Sequence, residues 1–597
     1  MNDKPLFAVH AQYVVHKKSK RQDLVAVKTV KEDDDGNRIR DLRLLPNYQR
    51  PFYITKPKYR NHQEKKSEEI AAKCDKYLCT QAALVDEVSK RLRKRSRSIR
   101  ELGENPFLYG TDLHVTSIIM QKFRERFGSP TMMPDVAFGD FEWDAHEDIN
   151  KQKASICSYG FEDNIHLAIR EDKILENGLT VESYLKQVHQ GFKDHVLPIV
   201  EKFYQSEEGE KQIKRNFKLH VDVVRLDIDV VRKLFEYAHK YKSDYLAFWN
   251  GISDLSVVEA HCKRYSVDMA DFMCDPSIPP QWRVTKINKG PIGAKLDAKG
   301  NKKKITAKTE WHTLDNIAHW VYVDMMHSYA GSRGHLPDMP YGLDATLERD
   351  LGLGKLKLVS HVSDKDMKQW HKTMSSKHIV PYSLYATFDA IGPMLLEDKQ
   401  HEIAVSFYTS ADINPTADVK KNPRCLTTKY HFELDKLGMV CGSTAKDMTS
   451  PLDREIYGGD DWIITLNANY HDGYAVDTEQ VPSSIVHNEE IAEKFTDNHV
   501  LFDAPSASTL FIPNDYDQDL TNSYPMNQRM MNASKATTYT EMCTITGMSE
   551  EMGRMFGLNL SSGKQNAMLL CTECLELPSL LEFVDSIEIK DEDLEEC

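Results

Sequence analysis

Strand-like and helix-like hydrophobic patterns alternate along this chain of 597 residues. "LFAVHAQYVV" (6–15) and "RPFYITK" (50–56) are short runs rich in β-branched and aromatic residues, as strands are, and "KEDDDGNR" (31–38) between them is turn-forming. "EEIAAKCDKYLCTQAALVDEVSKRLRKRSRSIR" (68–100) spaces its apolar residues helically and predicts a helix. It ends in a basic cluster from Lys90 to Arg100, either a phosphate contact or a solvated helix end. From Met132 to Lys399 strand and helix signals alternate, the pattern of an α/β domain. A Lys/Gly-rich insert from Lys286 to Lys308 interrupts it and reads as a mobile hairpin or loop. Residues 400–500 are mixed and turn-rich. "STLFIPNDYDQDL" (508–520) predicts a strand, followed by helical patterning and an acidic, solvated end. The expectation is an α/β multidomain protein: an N-terminal α+β domain (1–131), a domain with a mixed central sheet (132–399), a connecting region (400–500) and a last domain (501–597).

Composition adds exclusions. With 41% hydrophobic and 28% charged residues the chain has the make-up of a soluble globular protein. A net charge of −14 argues against a simple cationic nucleic-acid binder, although a local basic channel remains compatible with it. Of the 11 cysteines only Cys571 and Cys574 form a CxxC pair, which argues against a zinc site, and scattered thiols fit a reducing compartment. The first residues carry no basic-then-apolar signal pattern and no apolar run reaches membrane-spanning length, so an intracellular, soluble protein with no membrane partner is expected.

Candidate chemistry begins at "VAFGDFEWDAHED" (136–148), which opens like a buried strand and then places Asp140 and Glu142 two residues apart. On a strand both carboxylates share one face, where they need solvent, a basic partner or a divalent metal. In "DYLAFWNGISDLSVVEAHCKRY" (244–265) a strand turns at Asn250-Gly251 into a helix that starts near Asp254. In "WHKTMSSKHIVPYSLYATFDAIGPML" (370–395) Tyr385 and Asp389 sit four apart on one helical face, where a phenol and a carboxylate can hold a water between them. The ordered set supplies four acids and a hydroxyl. That is enough to hold two divalent metals about 4 Å apart for phosphodiester hydrolysis.

These stretches resemble a family B DNA polymerase of the large tailed-phage kind. "DFE" resembles the first motif of its 3′→5′ proofreading exonuclease, "WNGISD" the second and "YATFD" the third. The second departs from the usual pattern: Asp254 follows Asn250 after three residues and the usual Phe is missing. "DQDLTNSYP" (517–525) resembles polymerase motif A. The resemblance implies a ribonuclease H-like exonuclease domain over 132–399, followed by the start of a polymerase palm. It implies Asp140, Glu142, Asp254 and Asp389 as ligands of two Mg²⁺ or Mn²⁺ ions and Tyr385 as the group that orients the attacking water. Asp519 would bind the palm metal and Tyr524 would lie under the incoming nucleotide's sugar. Phe141, Phe248 and Asn250 are candidates for contact with the DNA strand.

No Tyr-x-Asp-Thr-Asp motif or Lys-bearing fingers helix follows Asp519, and "IYGGDDW" (456–462) precedes motif A and reads as chance. The expectation is therefore the exonuclease-bearing part of a replicative polymerase, which needs a partner chain to polymerise. The alternative is an inactive DNA-binding scaffold subunit of a split polymerase. The implied partners are a single-stranded 3′ end or primer–template DNA and a second polymerase chain, with a sliding clamp as a further candidate, all in the host cytoplasm.

Overall fold

The computed structural model describes residues 6–444, apart from short interruptions at 34–36, 63–64, 131, 145, 147, 207–208, 291–293, 297–301, 335, 338, 357, 360–361, 363–366 and 410–412. The chain divides into two units, Met1–Asp447 and Met448–Cys597, and the described residues all belong to the first. Asp519, Tyr524, "IYGGDDW", the Cys571/Cys574 pair and the elements expected after residue 500 lie outside the described residues.

The protein is of mixed α/β type with several sheets. Near the N-terminus β1 (Phe7–Val15), β2 (Asp23–Glu32) and β3 (Arg38–Pro46) form an antiparallel meander. A second small sheet has β4 (Arg50–Thr55) between β6 (Cys74–Cys79) and β7 (Leu108–Tyr109), while β5 (Glu68–Ile70) pairs with Met439–Cys441. The helix expected over 68–100 is thus shorter. Residues Glu68–Cys79 are mostly strand, and only α1 (Leu84–Leu92) and α2 (Ile99–Leu102) are helical. In β6 the buried ends Cys74 and Cys79 flank exposed Lys76 and Leu78, and pairing with β4 overrides the local helical spacing. Helix α3 (Val115–Phe127) packs on β1.

The central sheet has six strands in the order β11-β10-β9-β8-β12-β17. These are β8 (Val136–Asp144), β9 (Lys153–Phe161), β10 (Asn164–Arg170), β11 (Lys218–Val224), β12 (Tyr245–Phe248) and β17 (Val321–Asp324). Only β9 runs antiparallel to its neighbours. Between β12 and β17 lie β13 (Lys286–Asn288), β14 (Ala294–Leu296), β15 (Lys302–Lys304) and β16 (Thr313–Asp315), with β14 and β15 paired as a hairpin inside the Lys/Gly-rich insert.

Alternation along β8 splits the core. Phe138 joins the apolar layer on one face, and Ala137 and Phe141 join the layer on the other. The second layer is closed by α7 (Asp227–Tyr241), α8 (Ile252–Tyr265) and α9 (Ala270–Met273). Gly139 permits this packing, because a Cβ there would stand 2.9 Å from the Phe248 ring. The first layer holds α4 (Glu171–Glu176), α5 (Val181–Gly191), α6 (Leu197–Tyr204), α10 (Met325–Ser332), α11 (Leu343–Leu351), α12 (Met367–Lys377) and α13 (Ile379–Gln400). Helix α13 is buried almost all round. It has the length and hydropathy of a membrane span, but 89% of its most apolar window is covered within the protein, as a core helix is. The expected helix over Trp370–Leu395 is two helices, broken at His378.

Candidate functional site

The acids of β8 point at α13. Because Asp140 and Glu142 lie on the Phe138 face of the strand, they meet the third turn of that helix, which carries Asp389. Asp140, Glu142 and Asp389 each offer a carboxylate oxygen within 4.8 Å of the other two. The register of β8 against β9 shifts between Glu142 and Trp143, so the irregularity falls at the site. Asp254 stands beside the trio from the first turn of α8, where its Oδ1 accepts the Phe141 N–H at 3.3 Å. The turn before it holds Asn250 at φ 62°, with its Nδ2 donating to Ser253 Oγ at 3.3 Å. Three distant segments therefore bring together the four acids singled out in the sequence.

Electrostatics follow from that crowding. Burial holds the Asp140 carboxyl well above the ordinary carboxylate range, and the charges of Glu142, Asp254 and Asp389 push the same way. Burial likewise raises Asp254, with Glu142 and Asp324 adding to it. Asp389 is pushed up to about 6 by burial, against the pull of Lys355. Its Oδ1 is buried without a hydrogen-bond partner.

The structure adds three side chains to the sequence-derived set. Lys355 Nζ donates to Asp389 Oδ2 at 2.5 Å and to the Tyr385 hydroxyl at 2.8 Å. Burial disfavours its charge, but Asp389, Asp140 and Glu142 together outweigh burial and the ammonium is held above its usual range. Tyr382 donates to Glu142 Oε2 at 2.7 Å, and His371 Nδ1 lies 3.1 Å from the same oxygen. Tyr382 sits three residues before Tyr385 on α13, so helical spacing carried a signal for it. Lys355 comes from an irregular stretch between helices and left no periodic trace.

Two expected contacts are not in the cleft. Phe141 and Phe248 are 3% and 2% exposed and stack on each other at 6.3 Å between centroids, on the far face of the sheet from the acids. Alternation sends Phe141 away from Asp140 and Glu142, so both rings serve the core and neither is free to stack on a base.

Four acids and one lysine crowd carboxyl oxygens into a largely buried cluster. Such a set suits a hard divalent cation bound through oxygen. No protein-family model matches the chain, and no curated protein sequence matches it.

Proposed function

We propose that the chain is the exonuclease-bearing part of a family B DNA polymerase of the large tailed-phage kind, cleaving DNA from the 3′ end. The observation that carries this reading is the convergence of Asp140, Glu142 and Asp389, with Asp254 beside them, from three separate segments. The strand order supports it as well. Counted from β8, the sheet's strands run fourth, third, second, first, fifth, sixth with only the second antiparallel, and without the edge strand β11 this is the order 3-2-1-4-5 of a ribonuclease H-like domain.

The residues fit Mg²⁺ or Mn²⁺: the donors are carboxylates, and the buried, unpartnered Asp389 Oδ1 is an orphan that a cation would satisfy. When bound, two such ions supply water activation and stabilise the leaving oxygen. Asp140, Glu142, Asp254 and Asp389 would hold them. Tyr385 would orient the attacking water from a hydroxyl held in place by Lys355 and Asp389. The sequence resemblance extends the proposal to a palm segment with Asp519 and Tyr524.

The test incubates the chain with a 5′-labelled primer–template carrying a 3′ mismatch, Mg²⁺ and all four nucleotides, beside an Asp140→Ala/Glu142→Ala variant. Primer shortening by the native chain and not by the variant is expected. Extension without shortening would overturn the exonuclease reading. An unchanged primer with DNA still bound would replace the exonuclease by an inactive scaffold subunit.

A further inference from the structure

A second group of metal-ligating side chains lies outside the carboxylate cluster, at the base of the Lys/Gly-rich insert. Glu310 and His312 precede β16, and His327 lies in the first turn of α10 (Met325–Ser332), just after β17. Each offers a ligand atom within 4.8 Å of the other two. His312 Nε2 is 2.9 Å from Glu310 Oε1, and His327 Nε2 is 3.4 Å from Glu310 Oε2. Both imidazoles are buried, at 0% and 1% side-chain exposure, whereas Glu310 keeps 19%. Neither ring nitrogen of His327 has a hydrogen-bond partner of good geometry.

We propose that Glu310, His312 and His327 bind one divalent transition metal of the Zn²⁺ class. Two imidazoles and a carboxylate are a donor set that zinc takes, leaving a fourth position for water on the exposed Glu310 side. The surroundings of His327 match what such ligands need. Its Nδ1 faces Asp324 Oδ2 at 3.3 Å, so a proton on Nδ1 would be received by a carboxylate while Nε2 turned to the metal. Glu310 and Asp324 together balance a dication. The nearby Lys420 ammonium is tied to backbone carbonyls, donating to that of His327 and lying 3.5 Å from those of Lys308 and Glu310.

One adjustment is required. His312 Nδ1 accepts the Gly290 N–H at 3.0 Å, so its proton now sits on Nε2, toward Glu310. Metal binding at Nε2 would move that proton to Nδ1, and the Lys289–Gly290 peptide would turn to present a carbonyl instead. A glycine tolerates that rotation. The metal would then fix the base of the insert to α10, directly behind the strand end that carries Asp324. Cysteine spacing gave no hint of this site, because no cysteine takes part.

The test uses the full chain, stripped with a chelator and then titrated with Zn²⁺ and, in parallel, Co²⁺. One tightly held equivalent per chain is expected, with a Co²⁺ spectrum and Zn²⁺ X-ray absorption showing two imidazole and oxygen neighbours and no sulfur. Glu310→Gln and His327→Gln should lose that equivalent, Asp324→Asn should weaken it by about 10–100-fold, and Asp140→Asn/Glu142→Gln should keep it. Because the spectra are taken on the unchanged protein, the outcome stands even where a variant misfolds. Absence of a stoichiometric equivalent, sulfur ligation, or loss of zinc from the Asp140/Glu142 variant would overturn the proposal.

Discussion

Lys355 clasps Asp389: its ammonium lies 2.5 Å from Asp389 Oδ2 and reaches the Tyr385 hydroxyl from the same position. Tyr385 and Asp389, one helical turn apart, share the helix face that the sequence predicts. A lysine from an irregular segment reaches both and fixes their orientation. Lys355→Met should therefore lower the proposed 3′-end hydrolysis by about 10–100-fold, the usual cost of removing a group that orients a metal ligand. Lys355→Arg should not restore it fully, since a planar guanidinium cannot replace a point charge between a phenol and a carboxylate. Single-turnover cleavage of a labelled strand measures this. Native rates in Lys355→Met would remove Lys355 from the site's machinery.

The raised carboxyl groups give stability a definite pH dependence in the absence of metal. Asp389 goes from 3.8 to about 6 on folding, mainly through burial. Between about pH 4 and pH 6 the folded protein keeps this proton and the unfolded chain does not, so stability falls as pH rises through that window. Asp140 and Asp254 are raised too and act with the same sign. Divalent cations bind the deprotonated acids, so the gain in Tm from Mg²⁺ should be larger at about pH 7.5 than at about pH 5. Asp389→Asn should flatten both trends. Thermal melts in chelator and in Mg²⁺ decide it, and a pH-independent Mg²⁺ effect would contradict the site.

Tyr382 offers a narrower test. Its hydroxyl donates to Glu142 Oε2 from within the core, and burial, aided by the Glu142 charge, keeps that phenol protonated. Tyr382→Phe removes one hydrogen bond without changing shape and should cost about 1.5–3 kcal/mol of stability when Glu142 is ionised. Added Mg²⁺ should recover part of that loss by taking over the freed carboxylate oxygen. Equal losses with and without Mg²⁺ would mean that Tyr382 supports only the fold.

The four acids were legible because each sits in a regular element whose period announces its direction. A two-residue step on β8 aligns Asp140 with Glu142, and a four-residue step on α13 aligns Tyr385 with Asp389. The same rule was available for Phe141, since alternation that turns Asp140 into the cleft must turn its neighbour out of it. Lys355, Glu310 and His312 were not legible, because they come from irregular segments whose side-chain directions depend on tertiary packing, and His327, although it lies in the first turn of α10, meets its partners only from those segments. The overlong helix over 68–100 fails for a related reason: apolar residues in "CDKYLC" fit a helical face and a strand face alike, and the partner strand β4 decides between them.

The N-terminal meander is fastened to the central sheet by a buried ion pair. Lys28 of β2 places its Nζ 2.6 Å from Asp244 Oδ1, with side-chain exposures of 0% and 2%, and also donates to the carbonyls of Lys242 at 2.7 Å and Ser243 at 2.6 Å. Asp244 is bound in turn, its Oδ2 accepting the Asp135 N–H at 2.8 Å. Removing only the cation strands a carboxylate in the interior, so Lys28→Met should destabilise the chain by about 3–5 kcal/mol. Asp244→Asn in the same chain removes the stranded charge while an amide oxygen still receives the Asp135 N–H. The double variant should therefore be more stable than Lys28→Met alone, and the two single effects should fail to add. Chemical denaturation of the four proteins of this cycle measures the coupling. A double variant no more stable than Lys28→Met would show that the loss comes from the three carbonyl and carboxylate bonds of Lys28 and not from the charge left behind on Asp244.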